Sequence, residues 1–364
     1  MREDVEDAVY GCLIGGAIGD ALGAPVEGWT HERIRQEYGT LEEFKQYYMP
    51  YSNTEPGSIT SDTTLRHYLC LALVENGGRV TPEAFAAVLQ EHLNPNRVWI
   101  NEEIVLKKLS AGVDPWTAGR GTVPDNKVTA AITPVGVVNV GDPDQAYQDG
   151  FNLASMFQDG HDRHATATVA AGVAEAMTPG SSVESVIATM VEQSSDLVER
   201  ALDLALGFAE EADSPDELVE VLYDRFLDWR WPAVRWDREK YHAGEIFSAS
   251  TLEVVPVAVA MLAVCDGDVN RSLVEGVNYG RDSDAVATIA GSLAGALHGA
   301  GAIRDEWIAK CEESNRDFFE ELEGDPDADF QSMAERLVGV LERERERAAA
   351  RDEQLSRLLG ATDR

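Results

Sequence analysis

At 364 residues and 44% hydrophobic content the chain can bury one large core or two ordinary ones, and its composition excludes disorder over most of its length. Its 65 Asp and Glu outnumber 30 Lys and Arg, only six of them lysine, for a formal charge of -35. Such an excess repels nucleic-acid phosphates and anionic membranes, and suits a protein kept soluble in a salt-rich cytoplasm, where its self-repulsion is screened.

Cys12, Cys70, Cys265 and Cys311 are scattered, with no Cys-x-x-Cys pair, and read as buried thiols of a reduced compartment. The acidic start, MREDVEDAVYG, is unlike a basic secretory leader, so a cytoplasmic location is expected. Residues 8–26, AVYGCLIGGAIGDALGAPV, place Gly11, Gly15, Gly19 and Gly23 four apart, a bare helical stripe on which another helix can pack. Asp20 lies inside this apolar segment and, if buried, requires backbone amides or a cation as partner. Pro25 ends the helix, and Glu27 follows either as a solvated acid or as a group reaching into a site at the helix end.

Residues 32–58, with Tyr47, Tyr48, Pro50, Tyr51, Pro56 and Gly57, are expected to form a long loop of little regular structure. Thr60, Ser61, Asp62, Thr63 and Thr64 then open a helix with apolar positions Leu65, Tyr68, Leu69, Ala72 and Leu73, stopped by Gly77-Gly78. By pattern the polar cluster is a cap as readily as a site. Thr81-Pro82, Ser181–Glu184 and Ser214–Glu217 carry helix-start signals, and Leu197, Ala201, Leu204, Ala205 and Phe208 share one apolar face. Within Asn126–Gly141, Pro134, Gly136 and Asn139 would let backbone approach a ligand, and Val135–Val140 is the one short strand candidate. His161 and His164 read as capping or surface histidines. Trp229, Trp231 and Trp236, interleaved with Arg230, Arg235 and Arg238, are open to packing or to stacking on a base or ribose.

The segment NYGRDSDAVATIAGSLAGALHG, Asn278–Gly299, repeats the four-residue glycine spacing at Gly291, Gly295 and Gly299. It is too rich in Ala, Gly, Ser and Thr for a membrane span and predicts a buried core helix. Asp282 and Asp284, two apart, aim at one point only from a loop or a helix's first residues. A cap with a first-turn carboxylate and a pair of cation ligands are both open readings. Beyond Trp307 the alternating Glu and Arg indicate a solvated helix, with Leu355, Leu358 and Leu359 expected to dock it on the body. The whole predicts a compact all-α protein, residues 1–310, followed by a charged helical extension at 311–364.

Three segments, GCLIGGAIGDALGAPVE, TSDTTLRHYLCLAL and NYGRDSDAVATIAGSLAGALHG, resemble in that order the signature segments of the ADP-ribosylglycohydrolase family. ITPVGVVNVGDP and DQAYQDG are similar to its central segment, and the resemblance spans residues 8–300. It implies an all-α orthogonal bundle with two magnesium ions in a cleft. The implied reaction is hydrolysis of the N- or O-glycosidic bond between the anomeric carbon of an ADP-ribosyl or related ribosyl group and its attachment point. Carried over position by position, Thr60, Asp62, Asp282 and Asp284 would hold metal. Glu27, on a mobile loop, and Asp62 would be catalytic, with Asp20 supporting the ligands. Ser61, Asn126, Gly136, Gly280 and Ser283 would face the substrate.

The sequence also departs from the family pattern. Ser61 stands where it has Asp, Ala285 where Thr or Ser follows Asp-x-Asp, and Asn126-Lys127-Val128-Thr129-Ala130-Ala131 where it has Asn-Gly-Ala-Ala-Met-Arg. The first two changes remove a negative charge and an oxygen ligand, so of up to two magnesium ions one is expected to be weak or absent. Two alternatives follow: a glycohydrolase for a smaller nucleoside or sugar conjugate, and an ADP-ribose-binding or structural relative without turnover. The implied partner is a small-molecule or ADP-ribosylated substrate, with no nucleic acid and no membrane, and the chain is expected to be a monomer or weak homo-oligomer.

Overall fold

The computed structural model describes residues 2–49, 52–94, 97–98, 100–122, 125–227 and 250–359. The chain opens with α1 (Arg2–Gly23), a 3-10 turn (Ala24–Val26), α2 (His31–Tyr38) and a two-stranded antiparallel hairpin, β1 (Tyr47–Met49) and β2 (Ser52–Thr54). It continues through α3 (Ser61–Asn76), α4 (Pro82–His92), α5 (Ile100–Ser110), α6 (Lys127–Ala131), α7 (Thr133–Val138), α8 (Pro143–Ala154) and α9 (His161–Ala176). Then come α10 (Val183–Gln193), α11 (Asp196–Glu211), α12 (Pro215–Val221), α13 (Thr251–Val264), α14 (Val269–Tyr279) and α15 (Ser283–His298). The chain ends in α16 (Asp305–Ser314), α17 (Arg316–Glu323) and α18 (Phe330–Leu359). The protein is all-α, as its patterning predicts.

The two glycine stripes meet. An added Cβ on Gly15 would lie 2.5 Å from the carbonyl oxygen of Gly291, and one on Gly291 would lie 2.5 Å from that of Gly15. Gly11 faces Gly295 and Gly19 faces Ala287, so α1 and α15 run antiparallel with backbone against backbone. From Gly11 to Gly23 every residue of α1 is buried. Among the described residues the stretch Arg2–Val26 is long and apolar enough to cross a membrane, but 83% of its apolar window lies inside the protein, as in a core helix. Arg66 ties α3 to the pair: Nη2 donates to the Leu13 carbonyl at 2.7 Å and Nη1 to Ser292 Oγ at 3.2 Å, across the open face of Gly16. Packed on this centre are α14, buried through Leu273, Val277 and Tyr279, and α13, buried on every side from Thr251 to Leu262.

Several expectations need correction. Residues 32–58 hold α2, capped by Thr30, and the hairpin, instead of an unstructured loop. Val135–Val140 is not a strand; Thr133-Pro134 starts α7, where proline costs no helix hydrogen bond, and it buries its side chains against α9. Thr81 and Ser214 cap as expected, but α10 is capped by Ser182, with Ser185 reciprocating, one residue beyond the expected Ser181–Glu184 box. In α11 the buried stripe is Val198, Ala201, Leu202, Ala205 and Phe208, while Leu197 is 41% exposed. The terminal helix docks through Phe330, Met333, Ala334, Leu337, Val338 and Val340. Leu355, Leu358 and Leu359 are exposed. The Trp229, Trp231 and Trp236 cluster lies outside the described residues.

The helix contact leaves no room for a methyl group. Gly15→Ala is expected to destabilise the protein by about 1–3 kcal/mol in denaturant titration, because the atom it strikes is backbone and cannot swing away. Gly207→Ala on α11, where an added Cβ meets nothing within 4 Å, is the control, with an expected gain of about 0.5–1 kcal/mol.

Candidate active site

The antiparallel register sets the end of α1 beside the start of α15: an added Cβ on Gly23 would overlap the backbone of Ser283 and Asp284. Ser283 Oγ donates to the Gly23 carbonyl at 3.0 Å, so this serine, expected to face substrate, joins the two helices. Past the 3-10 turn the chain is tied to the segment before α15. Gly28 N–H donates to the Arg281 carbonyl at 2.7 Å, and Arg281 N–H to the Trp29 carbonyl at 2.6 Å. Gly280, at φ 78°, lets Trp29 approach; a side chain there would strike the Trp29 carbonyl, so its glycine serves loop contact and not a substrate. Arg281, also left-handed at φ 57°, is held in a buried ion pair with Glu253 on α13, whose carboxylate also accepts from the Tyr279 hydroxyl at 3.0 Å.

These ties bring Glu27 to Asp282 and Asp284. One carboxylate oxygen from each lies within 4.8 Å of the other two. The capping reading fails for Asp282, which occupies the N-cap position of α15 without a capping hydrogen bond. Its Oδ2 accepts from Asn126 Nδ2 at 2.6 Å, and its buried Oδ1 has no partner. Asp284 Oδ1 accepts the Ala285 amide at 3.0 Å, and its Oδ2 is likewise buried and unpartnered. Buried polar atoms are normally paired, so a group of three close acids, two of them with an unpartnered buried oxygen, is what a cation would satisfy. The donor set, all oxygen, fits a hard divalent ion.

Asp20 and the start of α3 complete the surroundings. Asp20 Oδ2 accepts from the amides of Thr60 and Thr63 at 3.0 and 3.1 Å, at the start of α3, while its buried Oδ1 has no partner. Thr60 Oγ1 accepts the Asp62 amide at 3.4 Å. Ser61 is buried beside it. Asp62, fully buried, is not one of the three converging acids: its Oδ1 lies 3.0 Å from the ammonium of Lys127, a contact of charges outside good hydrogen-bond geometry. The expected ligand group of Thr60, Asp62, Asp282 and Asp284 is thus divided, with Glu27 joining the last two and Asp62 facing a lysine. Gly136 belongs elsewhere: its bare face is filled by the Ala170 carbonyl and Val173 of α9, which leaves no opening for a diphosphate.

Electrostatics follow from crowding. Burial, reinforced by Asp284 and Asp20 and opposed by Lys127, pushes Asp62 up to about 7. Burial and then Glu27 push Asp284 up to about 7, and burial with Asp284 pushes Asp282 well above the carboxylate range. Glu27 is reached by solvent yet enclosed by protein on most sides; that enclosure raises its pKa, with Lys127 opposing and Asp62 and Asp20 assisting. For Lys127 burial opposes the charge, but Asp62, Asp284, Glu27 and Asp282 together more than reverse it, so the ammonium is retained.

The residue patterns gave no role to Lys127 and no sign of a second buried layer. Asp125 Oδ1 accepts the Lys127 amide at 3.1 Å and its Oδ2 accepts from Asn101 Nδ2 at 2.5 Å. Beside it Glu102 is buried with both carboxylate oxygens unpartnered. Lys127 could have been flagged as a charge replacing glycine in an otherwise apolar run. Glu102, in INEEIV, carries no such signal.

Residues 1–347 match the family model described as ADP-ribosylglycohydrolase, beyond the 8–300 span at both ends. The chain is 31% identical over 325 residues to an uncharacterized protein of Archaeoglobus fulgidus, covering 87% of this chain and 95% of that one. It is 26% identical over 334 residues to the uncharacterized protein YegU of Escherichia coli, covering 85% and 93%. A solved structure described as an ADP-ribosylglycohydrolase-related protein complex shares the fold, with a TM-score of 0.65 at 20% identity and coverage of 93% of this chain and 99% of that one.

Glu102 gives the site a pH signature that can be isolated. Its pKa rises from 4.5 to about 7, through burial and then Asp125, so folding binds a proton that the unfolded chain releases. The stability from its protonated form is complete below 4.5 and is lost as pH rises through about 7. Glu102→Gln is therefore expected to match wild type near pH 4 and to exceed it at pH 8 by on the order of a few kcal/mol, read from denaturation midpoints.

Proposed function

Because the chain belongs to the ADP-ribosylglycohydrolase family, we propose that it is a magnesium-dependent hydrolase that cleaves the glycosidic bond of an ADP-ribosylated small molecule or protein. The observation that carries this reading is the convergence of Glu27, Asp282 and Asp284, drawn from distant parts of the chain, two of which carry a buried oxygen without a partner. When bound, a divalent cation would supply charge that fixes the ribose hydroxyls and makes a nearby water a better nucleophile.

The chain's own residues do the rest. As the bond from the anomeric carbon breaks, the leaving atom gains a proton, and the water that bonds to carbon gives one up, through an oxocarbenium-like transition state. Glu27 is the group that holds and moves the proton: it is open to solvent and its raised pKa brings it nearer neutrality. Asn126 orients Asp282 through Oδ2, and Arg281 holds the Glu27 turn in place through its backbone. A second reading, ADP-ribose binding without turnover, is favoured by one observation, the Lys127 ammonium within the acid cluster.

The formal charge of -35 and the six lysines further support residence in a salt-rich cytoplasm. Thermal stability is expected to rise steeply from dilute buffer to molar salt; a flat profile would remove this part of the reading.

Two variants test the chemistry. Glu27→Gln, which keeps one carbonyl oxygen for the ion but loses the charge, is expected to bind magnesium more weakly by calorimetry, while at saturating magnesium release of ADP-ribose from a panel of modified arginine, serine and small-molecule substrates falls at least ~100-fold. Asp284→Ala is expected to lose magnesium binding and keep its circular dichroism. Full turnover in the first variant excludes Glu27 from the proton transfer, and unchanged magnesium affinity in the second excludes this cluster. Wild type that binds ADP-ribose but releases none from any conjugate supports the second reading.

A further inference from the structure

Lys127 is the first residue of α6, at the positive end of the helix, where a lysine is disfavoured by the dipole. It is buried all the same, in a chain that has six lysines against 65 acids. A buried ammonium is kept only where it is paired, and the groups around this one are Asp62, Asp282, Asp284 and Glu27. The arrangement is uneven. Among the described residues, three of the acids gather their oxygens within 4.8 Å of one another, while Asp62 stands apart from that group and faces Lys127 Nζ at 3.0 Å.

We infer that the Lys127 ammonium takes the place of one of two divalent cations, so that the cleft holds a single hard divalent ion among Glu27, Asp282 and Asp284. The inference rests on the metal reading given under Proposed function. Asp62, a ligand by sequence resemblance, is engaged by a tethered cation that neutralises it and offers no coordination site, since an ammonium has donors only. Relative to the family pattern, Ser61 for Asp and Lys127 for Gly each raise the charge by one and Ala131 for Arg lowers it by one, so what singles out Lys127 is its place beside Asp62.

The test uses the full chain and manganese as the probe. Wild type is expected to bind one Mn2+ per chain, with the electron paramagnetic resonance spectrum of an isolated ion. Lys127→Gly removes the charge and frees its volume, and is expected to bind two, with the spin-coupled spectrum of a close pair. Two ions in wild type, or one in Lys127→Gly, overturns the inference and leaves the metal reading standing. If neither protein binds manganese, the metal reading falls and the inference with it. If Lys127→Gly does not fold, wild type decides: one isolated ion supports the inference and a coupled pair overturns it.

Discussion

The site depends on two helices approaching without side chains between them. Glycines on α1 and α15 let carbonyl groups meet, and the register follows from which glycine faces which: Gly15 opposite Gly291, Gly23 opposite Asp284. Backbone contacts have no rotamers to relax, so position is transmitted along both helices with little slack. From that register Asp20 falls at the head of α3, and the Glu27 turn falls where Arg281 and Gly280 can hold it.

The second constraint is the cost of collecting acids in a buried place. Each is compensated differently: Asp20 by the amides of α3, Asp62 by Lys127, and Asp282 on one oxygen by Asn126. One oxygen each of Asp20, Asp282 and Asp284 is left without a hydrogen bond, and Asp62 has the ammonium contact alone. Those remainders, more than the number of carboxylates, distinguish the cluster from a set of helix caps. Burial, and after it the neighbouring acids, raises the pKa of Asp62, Asp282 and Asp284, a cost that a bound cation would offset.

Features with a short period in the chain were legible from sequence. The glycine stripes, the caps at Thr81 and Ser214 and the stop at Gly77 are local, and three separated segments were enough to identify the family. What depends on contacts across the fold was not. Gly136 and Gly280 looked like places for a ligand because a glycine marks close approach without saying to what; α9 and Trp29 proved to be the neighbours. Val135–Val140 alternates like a strand yet has a proline-led helix start and a packing partner in α9. Lys127 and Glu102 acquire meaning only from Asp62 and Asp125, which belong to other helices or turns.

The α1 and α15 pairing also bears on how the protein is made. α1 leaves the ribosome some 260 residues before its complementary surface on α15, so for that interval a smooth apolar helix lacks its main mate. Contacts so distant in sequence form slowly, and the nascent polypeptide must be shielded or held at the exit tunnel until α15 appears. No fragment short of Asp284 can assemble the cluster, so the three acids meet only in a chain that extends at least that far.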